Sequence, residues 1–233
     1  MKTRNLLFTV VAIFCLSLSQ NAFAEKQDRN VKGFDEIAFS ISGELYITIG
    51  SEFKVTLEGD EDVLEKIKTE VDGDMLKIKK DRMFKRLKKK VNVYVTLPEL
   101  EKLVVSGSGK VVTQSPVKAE DFAVVLSGSG TITVDNLIAE NLKTVISGSG
   151  NIHIKGNGNA NYVSSVISGS GDINLAGFNA KKGKVTISGS GDSKVNIENE
   201  LKAVISGSGS VYYKGNPVIN ATSVGSGRIR ELK

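Results

Sequence analysis

A four-residue turn, Ser106-Gly107-Ser108-Gly109, indicates the fold, because the same four residues return five more times along the chain. The later copies begin at residues 127, 147, 168, 188 and 206, and a degenerate copy, Val-Gly-Ser-Gly, occupies 224–227. Neighbouring copies start 18 to 21 residues apart. Spacing in this range is typical of repeat proteins, in which one supersecondary unit stacks on the next. The sequence therefore predicts a solenoid.

The residues around each turn fall into columns that alternate between apolar and polar side chains. The residue just before the turn is large and apolar in six copies, namely Val105, Leu126, Ile146, Ile167, Ile187 and Ile205. Two further, mostly apolar columns follow the turn, starting at Val111 and Thr113. A period of two indicates β-strands with one face in the core and the other in solvent. We expect an all-β, parallel β-helix with coils of about 20 residues.

The polar columns between the apolar ones are the candidate binding surface. We expect the outward face to include Asn151, His153, Asp172, Asn174, Asp192, Lys194 and Tyr212. Such a face could bind a glycan or another envelope component, or it could simply keep one side of the sheet solvated. The sequence leaves both interpretations open.

Residues 1–24 have the features of a secretory signal peptide. Lys2 and Arg4 precede an apolar run at 6–18, and the segment ends in a small-residue site at Ala24. The run is shorter than the roughly 20 residues that a membrane-spanning helix needs, and no second run follows it. We expect cleavage after Ala24 and export to the periplasm, the cell surface or the medium, with no transmembrane segment in the mature chain.

The mature chain, 25–233, is predicted to be a single β-helix domain. Residues 101–233 contain the regular coils, whereas 25–100 are rich in strand patterns but irregular and are expected to form atypical first coils or a cap. A degenerate turn at Ser42-Gly43 lies 64 residues before Ser106, close to three repeat lengths. A short helix is expected within 60–69, with Asp60 or Asp62 at its N-cap.

A basic segment lies between Lys77 and Lys90 and contributes to the net charge of +5. Nine of its fourteen residues are basic and one, Asp81, is acidic. The basic residues are Lys77, Lys79, Lys80, Arg82, Lys85, Arg86, Lys88, Lys89 and Lys90. The segment could be a charged strand edge or hairpin tip, or a patch for phosphate, lipopolysaccharide or acidic polysaccharide. Export argues against a nucleic-acid partner.

Residue types that would support common enzyme chemistry are scarce. The chain has one histidine, His153, and its one cysteine lies in the signal peptide, which disfavours zinc sites and cysteine chemistry. No Gly-x-Ser-x-Gly or phosphate-binding loop occurs, and we expect no cofactor. Aspartate follows the turn in only two copies, at Asp172 and Asp192, which argues against a repeated calcium site. A polysaccharide-active enzyme that uses Asp172, Asp192 and Lys194 stays open as an alternative.

The chain resembles the family named putative auto-transporter adhesin, head GIN domain. The resemblance is carried by Phe34-Asp35-Glu36-Ile37, by Ile41-Ser42-Gly43, by the stretch 72–78 and by the Val/Ile-Ser-Gly-Ser-Gly coils. It covers nearly all of the mature chain. It implies a right-handed, pectate-lyase-like β-helix exported by Gram-negative bacteria, and it implies no catalytic residues. Because the chain ends a few residues after the last coil, we do not expect it to translocate itself across an outer membrane.

Together these observations favour a non-enzymatic, adhesin-like protein of the cell envelope or surface. Its expected partners are a glycan, lipopolysaccharide or an envelope protein. Two other classes stay open: a polysaccharide lyase or hydrolase built on a β-helix, and a structural or assembly component of the envelope.

Overall fold

The structure is a computed structural model that describes residues 25–81, 83 and 89–232. The signal peptide predicted at 1–24 lies outside the described residues. The N-terminal elements are β1 (Glu25–Arg29), β2 (Glu36–Ser40), β3 (Glu44–Ile49), β4 (Lys54–Gly59), α1 (Glu61–Leu64), β5 (Ile67–Asp72), β6 (Met75–Lys80) and β7 (Asn92–Leu97). The next are β8 (Lys102–Gly107), β9 (Lys110–Thr113), β10 (Val117–Gly128), β11 (Thr131–Asp135), β12 (Leu137–Gly148) and β13 (Asn151–Lys155). The last are β14 (Asn159–Gly169), β15 (Asp172–Gly189), β16 (Ser193–Gly207), β17 (Ser210–Lys214), β18 (Val218–Gly225) and β19 (Arg228–Glu231).

The repeats stack as parallel coils, which confirms the predicted β-solenoid. The strands before each turn pair in register, so that Leu126 lies beside Ile146, and Ile146 beside Ile167. The strands after the turn pair in the same way, with Ile132 beside Ile152 and Ile152 beside Ile173. Equivalent residues of successive coils are therefore neighbours at the roughly 4.8 Å spacing of hydrogen-bonded strands.

The inward columns form one continuous hydrophobic core, as the alternation predicted. The pre-turn isoleucines Ile146, Ile167 and Ile187 are at most 1% exposed. Two polar residues on inward positions of neighbouring coils, Thr144 and Ser165, are fully buried and share a hydrogen bond of 2.8 Å. The pair satisfies both hydroxyl groups, because an unpartnered buried hydroxyl would carry a desolvation cost.

The Ser-Gly-Ser-Gly turn requires glycine because successive turns are in close contact. Gly189 has a φ of 134°, and a Cβ atom there would lie 2.1 Å from the carbonyl oxygen of Gly169. That oxygen accepts hydrogen bonds from the backbone N–H groups of Ser190 and Gly191, at 2.9 and 3.2 Å. The repeated glycine is therefore explained by backbone conformation and by coil stacking, without a bound ligand.

The N-terminal part stacks on the regular coils in an order that differs from the order of the chain. Strand β2 pairs in parallel with both β6 and β8, and β3 pairs in parallel with both β7 and β9. The backbone N–H of Lys110 donates to the carbonyl of Gly43, so the degenerate turn lies directly against the first regular coil. Ser42 and Ser106 are 64 residues apart in the sequence, close to three repeat lengths, yet their turns belong to neighbouring coils.

Beyond β6 and β7 the pairing becomes antiparallel. Strand β4 pairs with β7 and with β1, and β5 pairs with β6. The helix is a single turn, shorter than the predicted region, because Ile67 already begins β5. Asp60 occupies the N-cap position without a side-chain capping bond.

The division of the mature chain into domains stays a prediction. Within the described ranges, no helix is long and apolar enough to cross a membrane.

Candidate functional site

One outward column of side chains runs along the face formed by the strands that follow the turns. We call this surface the ladder face, and its central column consists of Tyr94, Tyr46, Val112, Thr133, His153, Asn174, Lys194, Tyr212 and Arg230. Neighbours in this column are one strand apart, so it extends over about 38 Å. The parallel register is what brings residues that are scattered through the sequence into one row.

All seven residues predicted for the outward surface lie on the ladder face. His153, Asn174, Lys194 and Tyr212 are in the central column. The other three, Asn151, Asp172 and Asp192, are in the column beside it. All seven are at least partly exposed. Their part in binding stays a prediction.

Asp172 and Asp192 are engaged in hydrogen bonds to the backbone of the next coil. The Oδ1 atom of Asp172 accepts from the N–H of Asp192 at 2.8 Å, and Oδ1 of Asp192 accepts from the N–H of Ser210 at 2.7 Å. The two carboxylates therefore continue the backbone ladder where regular pairing is interrupted. Throughout the described part of the chain, no three or more His, Cys, Asp or Glu residues are grouped so that they could hold a metal ion.

A cleft of about 340 Å³ opens beside the central column at His153 and Asn174. Gly156 and Gly177 form part of its wall, and Lys155 and Lys214 lie at its edge. Burial lowers the pKa of His153, and the positive charge of Lys155 lowers it further, so the imidazole is neutral at pH 7. The cleft thus offers a neutral imidazole, an amide and two ammonium groups.

A pair of tyrosines, which the sequence patterns did not single out, begins the central column. The rings of Tyr46 and Tyr94 are stacked, with centroids 5.3 Å apart and an angle of 15° between their planes. Their hydroxyl groups donate to Glu44 and Glu58 at 2.6 and 2.7 Å. These hydrogen bonds, with burial and carboxylate charge as smaller causes, raise the pKa of both phenols, which stay protonated at neutral pH.

The sequence contains one signal for the tyrosine pair, which is the alternation of buried and outward residues in β3 and β7. Tyr46 lies between the buried residues Leu45 and Ile47, and Tyr94 lies between two buried valines. This pattern places each ring outward, but the two tyrosines belong to the irregular part of the sequence. Only the pairing of β3 with β7 shows that they are neighbours.

A second cleft, of about 480 Å³, lies next to Tyr94, where the antiparallel strands β4 and β1 continue the ladder face beyond β7. Its lining residues are Lys26, Asp28, Lys54, Thr56, Tyr94 and Thr96. The ammonium group of Lys26 is 6.0 Å from the centre of the Tyr94 ring and 3.8 Å from a carboxylate oxygen of Glu58. The hydroxyl of Thr56 donates to Asp28 at 2.5 Å. This cleft combines an aromatic ring, hydroxyl groups, two lysines and the carboxylate of Asp28.

The basic segment is partly neutralised by acidic residues that lie elsewhere in the sequence. Lys77 pairs with Asp72, and Lys79 pairs with Glu70 at 2.7 Å, across the β5–β6 hairpin. Lys89 pairs with Asp60 at 2.7 Å. Hydrogen bonds from Lys79 and Lys77 lower the pKa values of Glu70 and Asp72.

The described residues therefore show a weaker positive patch than the sequence count indicated. Lys80 and Lys90 are also among the described residues of the segment, whereas Arg82, Lys85, Arg86 and Lys88 are not.

A third cleft, of about 450 Å³, lies away from the ladder face, on the strands that precede the turns. Phe122, Leu142 and the exposed Tyr162 contribute its apolar lining. Glu101 lies at one side, and the negative charge of Asp35 raises its pKa. This cleft is apolar at its base and acidic at one end, and it shares no residue with the ladder face.

Comparison with known proteins gives one family and several similar structures. The family model "Putative auto-transporter adhesin, head GIN domain" matches residues 33–217. A crystal structure of a putative adhesin from Bacteroides fragilis NCTC 9343 is 24% identical, with a TM-score of 0.84, and the match covers 90% of this chain and 97% of that chain. A putative lipid binding protein from Parabacteroides distasonis ATCC 8503 is 26% identical, with a TM-score of 0.76 and coverage of 91% and 98%.

A putative adhesin from the same Parabacteroides strain is 22% identical, with a TM-score of 0.73, and the match covers 90% of this chain and 97% of that chain. No curated protein matches the sequence. The structural matches show that the same solenoid occurs in these proteins. Because the family model spans most of its length, the chain belongs to the family of putative auto-transporter adhesin head GIN domains.

Proposed function

We propose that the protein is a non-enzymatic, exported protein of the cell envelope or surface that binds glycan along the ladder face. The observation that carries this proposal is the continuous central column, which joins a tyrosine pair, a neutral histidine, an amide and a lysine on one flat surface. Binding sites for small molecules combine apolar and aromatic surface with a few precisely placed polar groups. Sugar rings match this chemistry, because they carry hydroxyl groups around partly apolar faces.

Membership of a family described as adhesins supports binding to a surface partner. The expected export signal agrees with an envelope or surface location. The regular spacing of the ladder also suits a polymer, because equivalent positions recur at each coil. A linear glycan is therefore a better match to this face than a compact small molecule.

The hydrogen bonds of Asp172 and Asp192 argue for binding rather than catalysis. A glycosidase needs one carboxyl group as an acid and a second as a nucleophile or base. On the ladder face, both aspartates already accept backbone N–H groups from the next coil. We therefore assign them to the stability of the coil and assign no reaction to Lys194 beside them.

The test is glycan-array binding by the purified protein at low and high salt. A ladder variant, His153→Ala with Asn174→Ala, removes two side chains that line the cleft. The matched control, Thr186→Ala with Val204→Ala, removes two partly exposed side chains from adjacent coils on the strands before the turns. We expect saturable glycan binding that the ladder variant loses and the control keeps. Absence of binding, or equal loss in both variants, would refute the proposal.

A second candidate partner is an envelope lipid, favoured by a column on the strands before the turns. The outward residues there are Val104, Val125, Val145, Val166, Thr186 and Val204, each partly exposed. The next outward column contains the exposed lysines Lys143, Lys184 and Lys202. A β-branched apolar stripe beside ammonium groups suits an anionic lipid surface.

The relative from Parabacteroides distasonis described as a putative lipid binding protein supports this second candidate. Co-sedimentation with vesicles that contain an anionic lipid, compared with zwitterionic vesicles, tests it. Binding to the anionic vesicles that is lost in Val145→Ser with Val166→Ser is the expected result. Binding that is equal for both vesicle types, or unchanged in the variant, would refute it.

A further inference from the structure

We infer that the ligand of the ladder face is an acidic polysaccharide, and that it is held at two separate points on that face. The two points are the cleft at His153 and the cleft at Tyr94. This inference rests on the proposed glycan binding and adds the chemical class of the glycan. An acidic glycan is expected because most carboxylates of this face accept hydrogen bonds from the protein, whereas most of its described cations form no salt bridge.

The carboxylates of the ladder face are mostly committed to bonds within the protein. Glu44 and Glu58 accept the hydroxyl groups of the two stacked tyrosines, and Asp28 accepts from Thr56. Asp172 and Asp192 accept backbone N–H groups, as described above. Among the described residues of the strands that follow the turns, Asp135 and Glu231, at the end of β19, are the carboxylates without such a bond. A committed carboxylate has fewer lone pairs free for a ligand.

The cations of the same face are mostly free of such partners. Within the described part of the chain, no salt bridge involves Lys54, Lys110, Lys155, Lys194, Lys214, Arg228 or Arg230. All seven side chains are exposed. The cations of the face are therefore free to pair with a ligand, whereas most of its carboxylates already accept a hydrogen bond from the protein. A complementary ligand carries negative charge along its length.

Each of the two clefts combines such cations with groups that suit a sugar ring. In the first, Lys155 and Lys214 line the same cleft as His153. Asn174 accepts the N–H of Ala176 through Oδ1, which leaves its amide N–H groups for a ligand. In the second, Lys54 lies beside the hydroxyl of Thr96 and the ring of Tyr94. Ammonium groups bind carboxylates, while the imidazole, amide and hydroxyl groups bind sugar hydroxyls.

The distance between the clefts determines the size of the ligand. Tyr94 and His153 are four strand steps apart in the central column, which corresponds to about 19 Å. An oligosaccharide too short to span this distance can occupy one cleft, whereas a longer chain can occupy both. Occupation of both raises the affinity of the long chain through the effective concentration of the second contact.

The probe for the test is polygalacturonate, a linear polymer of uronic acid, with dextran as the neutral polysaccharide and polyglutamate as a polyanion without sugar. Binding of each to the purified protein is measured by calorimetry at two salt concentrations. Lys155→Gln with Lys214→Gln alters the first cleft, and Lys54→Gln alters the second. Lys184→Gln with Lys202→Gln removes two positive charges, as the first-cleft variant does, from the strands before the turns, where both lysines are exposed, and serves as its matched control; Lys184→Gln alone is the control for Lys54→Gln.

We expect polygalacturonate to bind more tightly than dextran and polyglutamate. Each cleft variant should weaken binding by about tenfold or more, as expected for lost charge-assisted hydrogen bonds, and the control should not. Oligogalacturonides longer than the roughly 19 Å span given by the strand spacing should bind more tightly than shorter ones, and a single cleft variant should abolish that difference.

Three results would overturn the inference in distinguishable ways. If dextran binds as well as polygalacturonate and the cleft variants lose both, the ladder face binds glycan but not an acidic one. If polyglutamate binds equally, or the control variant loses as much affinity as the cleft variants, the interaction is unspecific attraction of charge. If no polysaccharide on the array or in solution binds, the proposed function itself fails.

Discussion

Replacement of Gly189 by alanine tests the physical reason for the repeated turn. Gly189 has a φ of 134°, in a region that side-chain-bearing residues rarely adopt, and such strain costs about 1–3 kcal/mol. The new Cβ would also lie 2.1 Å from the oxygen of Gly169. Relief of that contact requires the coils to separate, which weakens the two hydrogen bonds that this oxygen accepts, at about 0.5–1.5 kcal/mol each. We expect a total loss of about 2–6 kcal/mol.

Gly107→Ala is the matched control, because it changes the same position in the first regular turn. Gly107 has a φ of 107°, yet a Cβ atom added there would meet nothing within 4 Å. This variant should lower the free energy of unfolding only by the cost of backbone strain, about 1–3 kcal/mol.

The measurement is urea denaturation of both variants and the unsubstituted protein, followed by circular dichroism. We expect Gly189→Ala to lower the free energy of unfolding clearly more than Gly107→Ala. Equal losses would refute the argument, because they would show that contact between stacked turns contributes nothing beyond the backbone conformation of glycine.

Three further predictions concern polar groups in the coils. Thr144→Val and Ser165→Ala should each lower the free energy of unfolding by about 1–3 kcal/mol, because each leaves the partner's buried hydroxyl unpaired. In urea denaturation the double variant should lose less than the sum of the two single losses, and additive losses would contradict this. Asp172→Ala should lower the free energy of unfolding by about 0.5–1.5 kcal/mol, because it removes the acceptor for the N–H of Asp192, whereas Asp172→Asn keeps an acceptor oxygen. Equal melting temperatures for the two variants would argue against the hydrogen bond. Because the pKa of His153 is lowered in the folded state, the unfolded chain binds its proton first as the pH falls through 6.5, so stability should decline there. His153→Asn should remove that part of the decline between about pH 7.5 and 5.5, and an unchanged pH profile would show that His153 does not cause it.

The regular coils could be predicted because their determinants are local. A turn of Ser-Gly-Ser-Gly, a β-branched or aliphatic residue before it and alternation after it recur in each unit, so the inward and outward positions can be assigned within a single repeat. The structure confirms this register, including polar inward positions such as Thr113 and Ser193, which are at most 1% exposed.

The placement of the N-terminal strands could not be predicted, because it depends on pairing between distant segments. Residues 42–43 and 109–110 are in adjacent coils, whereas β6 and β7 stack on the other side of β2 and β3. No local pattern distinguishes this order from simple succession along the chain. The helix predicted within 60–69 is one turn for a related reason, since pairing of β5 with β6 takes Ile67 into a strand.

In the candidate site, too, local patterns were sufficient for some features, whereas others depend on pairing between separate segments. Alternation was sufficient to place His153 and Asn174 outward, because each lies between buried residues of its own strand. Charge counted along the chain overstates the unpaired positive charge in the described part of the basic segment, because Glu70 and Asp72 face Lys79 and Lys77 only through the β5–β6 hairpin. Such a count says nothing of partners brought in by tertiary pairing.

The period of the chain and the steric limits at glycine are enough to predict the solenoid, the length of its coils and which side chains of each regular strand face solvent. Which outward residues share one surface depends on tertiary pairing. The stacked tyrosines at one end of the ladder face, the cleft at His153, and the hydrogen-bonded carboxylates beside exposed lysines all depend on the register between strands. Register is set by the packing of the whole core, and therefore it cannot be derived from any single repeat.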